Sequence, residues 1–219
     1  MSHWSGYLQL ILQGAQTTVE LTLMGAVLAL VMAFVAGLGR LSRFFVVRAL
    51  ATSYIEFFRG TSIFVQLFWA YFVLPMAGLT LTPLQAGVLA LGLNVGAYGA
   101  EVVRSAVAAI GHEQRNACVA LNLSRYQRMR HVILPQALPL MMPTFGNNAI
   151  ELLEGTAVVS LISLGDMTFQ AQVVRSQTGN TLIPFATILA LYFAMACLIS
   201  FGMRKLENRM SFGLDRIRR

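Results

Sequence analysis

Five long apolar stretches, separated by shorter polar segments, dominate the pattern along this chain. A helix needs about 20 mostly apolar residues to cross the hydrocarbon core of a bilayer, and each stretch can supply them. The stretches cover approximately 17–39, 50–74, 84–103, 132–161 and 182–203. The pattern predicts an all-α membrane protein of about five transmembrane helices, organised as a single transmembrane domain over residues 1–219.

Two of the stretches carry polar residues at a spacing of four and then three residues. These residues are Asn94, Tyr98 and Glu101 in the third stretch, and Asn147, Glu151 and Glu154 in the fourth. Such spacing places the members of each set on one helix face. Because ionisable residues within a span are costly and mark candidate functional sites, we expect these faces to turn toward each other or toward water. They are candidates for a translocation pathway.

The second stretch contains a carboxylate and a cation, Glu56 and Arg59, three residues apart. Two interpretations fit the pair. In one, the two side chains neutralise each other and hold spans together; in the other they line the pathway, where Arg59 faces the carboxylate of a small zwitterion. Glu101 also has both interpretations, because it can pair with Arg104 near the end of its stretch.

Composition and charge agree with a membrane location and orient the chain. The protein is 57% hydrophobic and only 11% charged, whereas soluble domains carry about 25% charged residues. All but two of the 16 Lys and Arg residues lie in the first link, the third link and the C-terminal tail. The positive-inside rule then predicts an external N-terminus and a cytoplasmic C-terminus. This placement of charge between apolar stretches favours membrane orientation over nucleic-acid binding.

The third link, approximately 104–131, is much longer than a simple connection requires. We expect two short helices in it. The first covers 112–121 and ends at Asn122, a residue that tolerates the left-handed conformation. The second begins at Ser124, which forms a capping box with Gln127. The link is either a solvated basic loop or a docking element, in which Ala117, Cys118 and Leu121 would form an apolar face for a partner.

The link after the fourth stretch also contains a helix signal. Ser163 and Asp166 have the spacing of a capping box for a short helix that runs toward Arg175. Such a helix either packs at the membrane surface or offers a contact to an external partner.

Motifs for chemistry are absent from the sequence. There is no GxxxxGK[ST] loop, the only lysine is Lys205, and no HExxH, GxSxG or cysteine cluster occurs. We therefore expect no enzymatic activity and no bound cofactor in this chain. The energy for transport must come from a partner or from an ion gradient.

The third link resembles the Glu-Ala-Ala loop of ABC importer permeases. Its spacing is intact from residue 116 to residue 135, with Asn116, Ala117 and Cys118 at the Glu-Ala-Ala positions, Asn122 at the glycine position, and Leu134 and Pro135 at the end. Asparagine at 116 removes a carboxylate that could pair with a cation on the motor, and Glu113 lies one turn earlier. The resemblance implies that these residues and Leu121 form the coupling loop to an ATPase.

The resemblance extends over nearly the whole chain and is closest to permeases for polar amino acids. The segments 54–61, 96–104, 134–137 and 155–160 are similar to signatures of that subfamily, and 91–99 is similar to permeases for ectoine and hydroxyectoine. The resemblance implies a bacterial inner-membrane permease that imports a small polar solute by alternating access. The implied partners are ATPase subunits that bind ATP and Mg²⁺, a second permease subunit, and an extracytoplasmic solute-binding protein.

An ion-gradient-driven carrier or channel subunit is the alternative, and a membrane scaffold is a third possibility. A carrier predicts internal repeats and broken spans near the midplane. The sequence shows no convincing repeat between its halves, and a carrier leaves the long third link unexplained.

Overall fold

The structure is a computed structural model that describes the backbone of residues 2–211 and the side chains of residues 6–210. The predicted basic tail residues Arg216, Arg218 and Arg219 lie outside this range. All regular elements within it are helical. They are α1 (Ser2–Arg40), α2 (Phe45–Gly60), α3 (Ile63–Phe68), α4 (Pro83–Ala109), α5 (His112–Ala120), α6 (Arg125–Gln127), α7 (Leu134–Gly155), α8 (Met167–Thr178) and α9 (Leu182–Ser211).

Some helices continue directly into tighter or wider turns. A π-helical turn (Trp69–Val73) and a 3₁₀ turn (Leu74–Ala77) extend α3. Another π-helical turn (Arg128–Ile133) joins α6 to α7, and a 3₁₀ segment (Thr156–Ile162) follows α7. The second of the two short helices expected in the third link therefore begins as predicted but runs into α7 without a break.

Within the described residues, three helices are long and apolar enough to cross a membrane: α1, α4 and α9. Counting each of two bent helix pairs as one span gives up to five, in agreement with about five transmembrane helices. The first helix begins well before the predicted 17–39 span. Its early turns are retained because Ile11 and Ala15 pack in a buried cluster with residues of α8 and α9.

The stretch predicted as the second span, 50–74, is not one continuous helix. The chain turns by 106° between α2 and the helical segment Ile63–Ala77. Gly60 ends α2, and both Thr61 (φ −118°, ψ 150°) and Ser62 (φ −69°, ψ 136°) are extended. Glycine disfavours helix continuation because it loses the most backbone freedom on folding, so the break follows a local sequence signal that the high apolarity of the stretch conceals.

The helix α4 lies at the centre of the molecule, where its glycines permit close contact with α1. A Cβ atom on Gly92 would lie 2.7 Å from Leu28 Cδ2, and one on Gly96 would lie 2.9 Å from Met32 Cβ. Small residues at intervals of three or four allow this kind of approach between membrane helices. The two helices run parallel, and the basic residues Arg40 and Arg104 therefore lie at the same end, called here the basic end.

The capping box expected between Ser163 and Asp166 does not form. Asp166 is itself the N-cap of α8, and its carboxylate accepts hydrogen bonds from the backbone N–H groups of Phe169 (3.0 Å) and Thr168 (3.1 Å). Ser163 adopts a left-handed conformation (φ 62°) at the end of the preceding 3₁₀ segment. The helix toward Arg175 forms as predicted, but it begins three residues later than a capping box at Ser163 would place it.

Candidate functional site

The polar face of α4 is occupied by contacts within the chain. Asn94 is buried, and its Nδ2 donates to the backbone carbonyl of Phe58 (2.9 Å) and to Gln66 Oε1 (3.1 Å). These partners lie on either side of the break between α2 and α3. Asn94 therefore turns toward that break and not toward α7.

Tyr98 lies one turn further along α4, and the guanidinium of Arg59 stands over its ring. The distance from Arg59 Cζ to the ring centroid is 5.2 Å, within the range of a cation–π contact. The ion pair considered between Glu56 and Arg59 does not form, since neither has an ion-pair partner among the described residues, and both side chains are exposed. Tyr98, and not Glu56, is thus the neighbour of Arg59.

Glu101 ties α1 to α4 at the basic end. One carboxylate oxygen accepts from Arg40 of α1, and the other accepts from Arg104 Nε at 2.9 Å. The carboxylate is only partly buried, with 20% of the side chain exposed. This geometry supports the interpretation of Glu101 as a residue that holds helices together.

The polar face of α7 is different, because its three side chains are exposed in the single chain, although Asn147 also lines a crevice with residues of α9. Asn147, Glu151 and Glu154 are all exposed, and none of them forms a hydrogen bond or ion pair with another described residue. Carboxylates are unstable in hydrocarbon without water or a partner. The polar faces of α4 and α7 do not meet in the single chain. Of the two expected arrangements, the one that faces water therefore remains for α7, unless a second subunit covers it.

Two polar residues that matter in the structure were missed in the sequence. Gln66 lies inside the second apolar stretch, where a glutamine is a signal for a buried hydrogen bond. Asn148 lies beside the predicted face of α7 and lines an otherwise apolar crevice of about 270 Å³ between α1, α4, α7 and α9. Its Nδ2 is buried and has no hydrogen-bond partner among the described residues.

The third link, 104–131, which we call the basic loop, contains a well-defined helix stop at the end of α5. Asn122 is left-handed (φ 55°), its N–H bonds to Val119 O, and the Leu123 N–H bonds to Cys118 O. This pattern is a Schellman motif, in which the last carbonyls of α5 are satisfied by the residues that follow. The next helix begins at Ser124 with the predicted capping box to Gln127.

The exposed apolar surface of the loop differs from the predicted one. Cys118 is only 2% exposed and packs inside the chain, so it does not belong to a face for a partner. The exposed large apolar residues are Val119, Leu121 (72% exposed) and Tyr126 (66% exposed), and of the predicted face Ala117 and Leu121 are exposed. We call Val119, Leu121 and Tyr126 the loop knob.

The other predicted loop residues lie on α5 or at the start of α7. Glu113, Asn116 and Ala117 are exposed on α5, while Leu134 is partly buried and Pro135 exposed in the first turn of α7. Arg115 anchors α5 to the end of α4 through a hydrogen bond to Val107 O of 2.8 Å. The loop is thus an ordered extension of the helical core at the basic end.

Comparison with known proteins assigns the family. Residues 13–212 match the family described as the binding-protein-dependent transport system inner membrane component. The chain belongs to this family. A probable amino-acid ABC transporter permease, y4tF of Sinorhizobium fredii, is 44% identical over 95% of this chain and 90% of its own length. The glutamine transport system permease GlnP of Escherichia coli K12 is 36% identical over 92% and 93%.

The fold of this inner membrane component is shared with a solved transporter. A chain in the crystal structure of an amino acid ABC transporter with histidines superposes with a TM-score of 0.87 at 33% identity, covering 94% of this chain and 97% of that one. The protein is therefore a multi-pass inner-membrane component with the fold of an ABC importer permease. Its relatives are permeases and not enzymes, consistent with the lack of catalytic motifs.

Proposed function

We propose that this chain is the permease subunit of an ATP-driven importer that carries a small amino acid into the cytoplasm. The observation that carries the proposal is the similarity, over nine-tenths or more of the chain, to relatives named as amino-acid permeases. Because solute specificity in such systems depends on a few side chains, the similarity supports the amino-acid class and not one particular amino acid. The narrower resemblance to ectoine permeases makes a compatible solute the second candidate.

The proposed orientation places the basic end in the cytoplasm and the N-terminus outside. Arg40 and Arg104 lie together at that end, and the basic loop extends from it. This clustering is what the positive-inside rule expects of a cytoplasmic surface.

The proposed contact with the motor is the loop knob. An exposed set of apolar side chains on an ordered loop suits insertion into a groove of a partner, which here would be a separate ATPase subunit that binds ATP and Mg²⁺. Asn116 cannot form a salt bridge to that subunit. The contact would therefore depend on Val119, Leu121 and Tyr126 and on the rigid Schellman stop that orients them.

The proposed pathway runs along α7, and a second permease subunit would cover it. The stripe formed by Asn147, Glu151 and Glu154 is exposed in the single chain, and oligomerisation would enclose it in a water-filled route. The carboxylates would face the ammonium group of the solute. Motor closure transmitted through the basic loop would tilt the helices between inward-open and outward-open states, and an external binding protein would deliver the solute at the opposite end.

Uptake by the assembled complex tests the solute class. The permease, reconstituted in liposomes with its ATPase and its binding protein, should accumulate a labelled amino acid, and an excess of the same unlabelled amino acid should abolish the signal. If a panel of amino acids gives no uptake while ectoine is accumulated, the amino-acid assignment fails and the compatible-solute assignment replaces it. Uptake of neither class contradicts both.

A further inference from the structure

The break between α2 and α3 leaves backbone carbonyls that need hydrogen-bond partners. The last carbonyls of any helix have no partner within that helix, and in a membrane water does not supply one freely. Here Gln66 Nε2 lies 2.9 Å from Phe58 O and 3.2 Å from Thr61 O. Asn94 Nδ2, from the central helix, reaches the same Phe58 carbonyl at 2.9 Å.

The two amides also bond to each other, so they form one unit. Asn94 Nδ2 donates to Gln66 Oε1 at 3.1 Å, and both residues are less than 10% exposed. We call this pair the amide clasp. Because buried amides without partners are costly, the clasp holds the end of α2, the start of α3 and the middle of α4 in one arrangement.

A second bond sets the rotation of α2 against α4. The hydroxyl of Tyr54 donates to Leu93 O at 2.7 Å, one residue before Asn94. Gly96 makes room for it, since a Cβ there would lie 3.1 Å from the hydroxyl oxygen. With Tyr54 and Phe58 both bound to α4, the position of the next residue, Arg59, is determined.

Arg59 is held in place but its charge is not neutralised. Its guanidinium lies over Tyr98, and it makes no hydrogen bond or ion pair with another described residue. The partial negative charge at the C-terminal end of α2 favours a cation there, but an exposed guanidinium retains its donors for a planar anion. An uncompensated cation in an apolar segment is stable only where water or an anion reaches it.

We propose that Gln66 and Asn94 are positioning residues, which hold the broken helix so that Arg59 presents its guanidinium to the carboxylate of the transported solute. This inference rests on the proposed function, which supplies the identity of the solute. It adds that the polar face of α4 acts indirectly: Asn94 contacts the backbone, and the effect reaches the solute through Arg59.

The experiment measures whether a thiol at residue 60, next to Arg59, reacts faster with an anionic or with a cationic reagent. It does not require transport. Gly60→Cys is introduced into a chain in which Cys118 and Cys197 are alanine, and the assembled complex reacts with an anionic and a cationic methanethiosulfonate of similar size. A fixed local charge changes encounter rates by about tenfold or more. The anionic reagent should therefore react about tenfold faster, and Arg59→Ala should remove this preference.

The positioning role is tested by Gln66→Leu and Asn94→Leu in the same background. Each should lower the preference for the anionic reagent to the value of Arg59→Ala, although Arg59 itself is present. The matched control is Thr187→Val on α9, whose hydroxyl bonds only within its own helix (Ile183 O, 2.8 Å) and which should keep the preference. Retention of the full preference in both leucine variants overturns the positioning role.

Two further outcomes separate this inference from the proposed function. If residue 60 reacts with neither reagent, water does not reach Arg59 and the inference fails, whatever the uptake measurements show. If the anion preference depends on the clasp but no amino acid is transported, the positioning role stands and the proposed solute falls. In transporting complexes, Asn94→Leu should raise the KM for the amino acid more than it lowers the maximal rate.

Discussion

Glutamate side chains occupy two different environments within this membrane protein. Glu101 receives hydrogen bonds from two arginines and joins α1 to α4. Glu151 and Glu154 are exposed on α7 and have no partner among the described residues. A compensated carboxylate contributes to helix packing, whereas an uncompensated one within a membrane span requires water or a ligand. The proposed pathway therefore depends on Glu151 and Glu154 and not on Glu101.

Neutralising the exposed carboxylates tests this distinction at the level of single residues. Glu151→Gln and Glu154→Gln should lower amino-acid uptake by about tenfold, the effect of losing roughly 1.4 kcal/mol of charge-assisted interaction with the ammonium group. Thermal unfolding in detergent should not change, because no contact within the chain is lost. Glu20→Gln is the control, as Glu20 is also exposed but lies on α1 and bonds to Gln16 (2.9 Å). Equal uptake in all three variants would remove α7 from the pathway.

At the level of elements, the fold depends on how closely α1 approaches α4. The contact is set by glycines, and the space at Gly96 is limited by backbone as well as side chain, since a Cβ there would lie 3.1 Å from Ala29 O. Backbone cannot move aside as a flexible side chain can. Even one added methyl group should therefore separate the two helices.

Gly96→Ala should destabilise the protein by about 1–3 kcal/mol, the usual cost of overpacking. The control is Gly202→Ala in α9, where no other atom lies within 4 Å of the added Cβ. That substitution should be neutral or slightly stabilising, because alanine favours a helix over glycine. Thermal unfolding midpoints in one detergent compare the two variants, and equal midpoints would contradict the close packing of α1 and α4.

The basic loop is the second element with a testable role. Leu121→Ser removes an apolar side chain that is 72% exposed in the single chain, so the fold should persist while binding of the ATPase weakens. Burial of one leucine at an interface is worth about 1.5–3 kcal/mol, which corresponds to roughly ten- to hundredfold in affinity.

Asn116→Ala is the matched comparison on the same helix. It should have a much smaller effect on binding of the ATPase, because we propose that the contact is apolar. Titration of the detergent-solubilised permease with the purified ATPase gives both affinities. A larger loss for Asn116→Ala than for Leu121→Ser would reverse the proposed roles of the two residues.

At the level of the whole molecule, local features could be predicted from the sequence and long-range ones could not. The left-handed Asn122 and the capping box of Ser124 depend on residues within a few positions, and both form as expected. The bond between Gln66 and Asn94 joins residues 28 apart and exists only because the chain bends by 106°. Hydropathy does not predict that bend. The burial of Cys118 depends on how α5 packs, which helical periodicity alone does not determine.

The central claim is that the whole molecule works as the permease of an ATP-driven importer. The most direct test is to determine which energy source drives uptake. Proteoliposomes that contain the permease, its ATPase and its binding protein are prepared with ATP or a non-hydrolysable analogue inside, with and without an imposed ion gradient. Amino-acid accumulation is expected only with hydrolysable ATP and should be independent of the gradient. Accumulation that follows the gradient and persists without ATP would contradict the central claim and favour an ion-driven carrier.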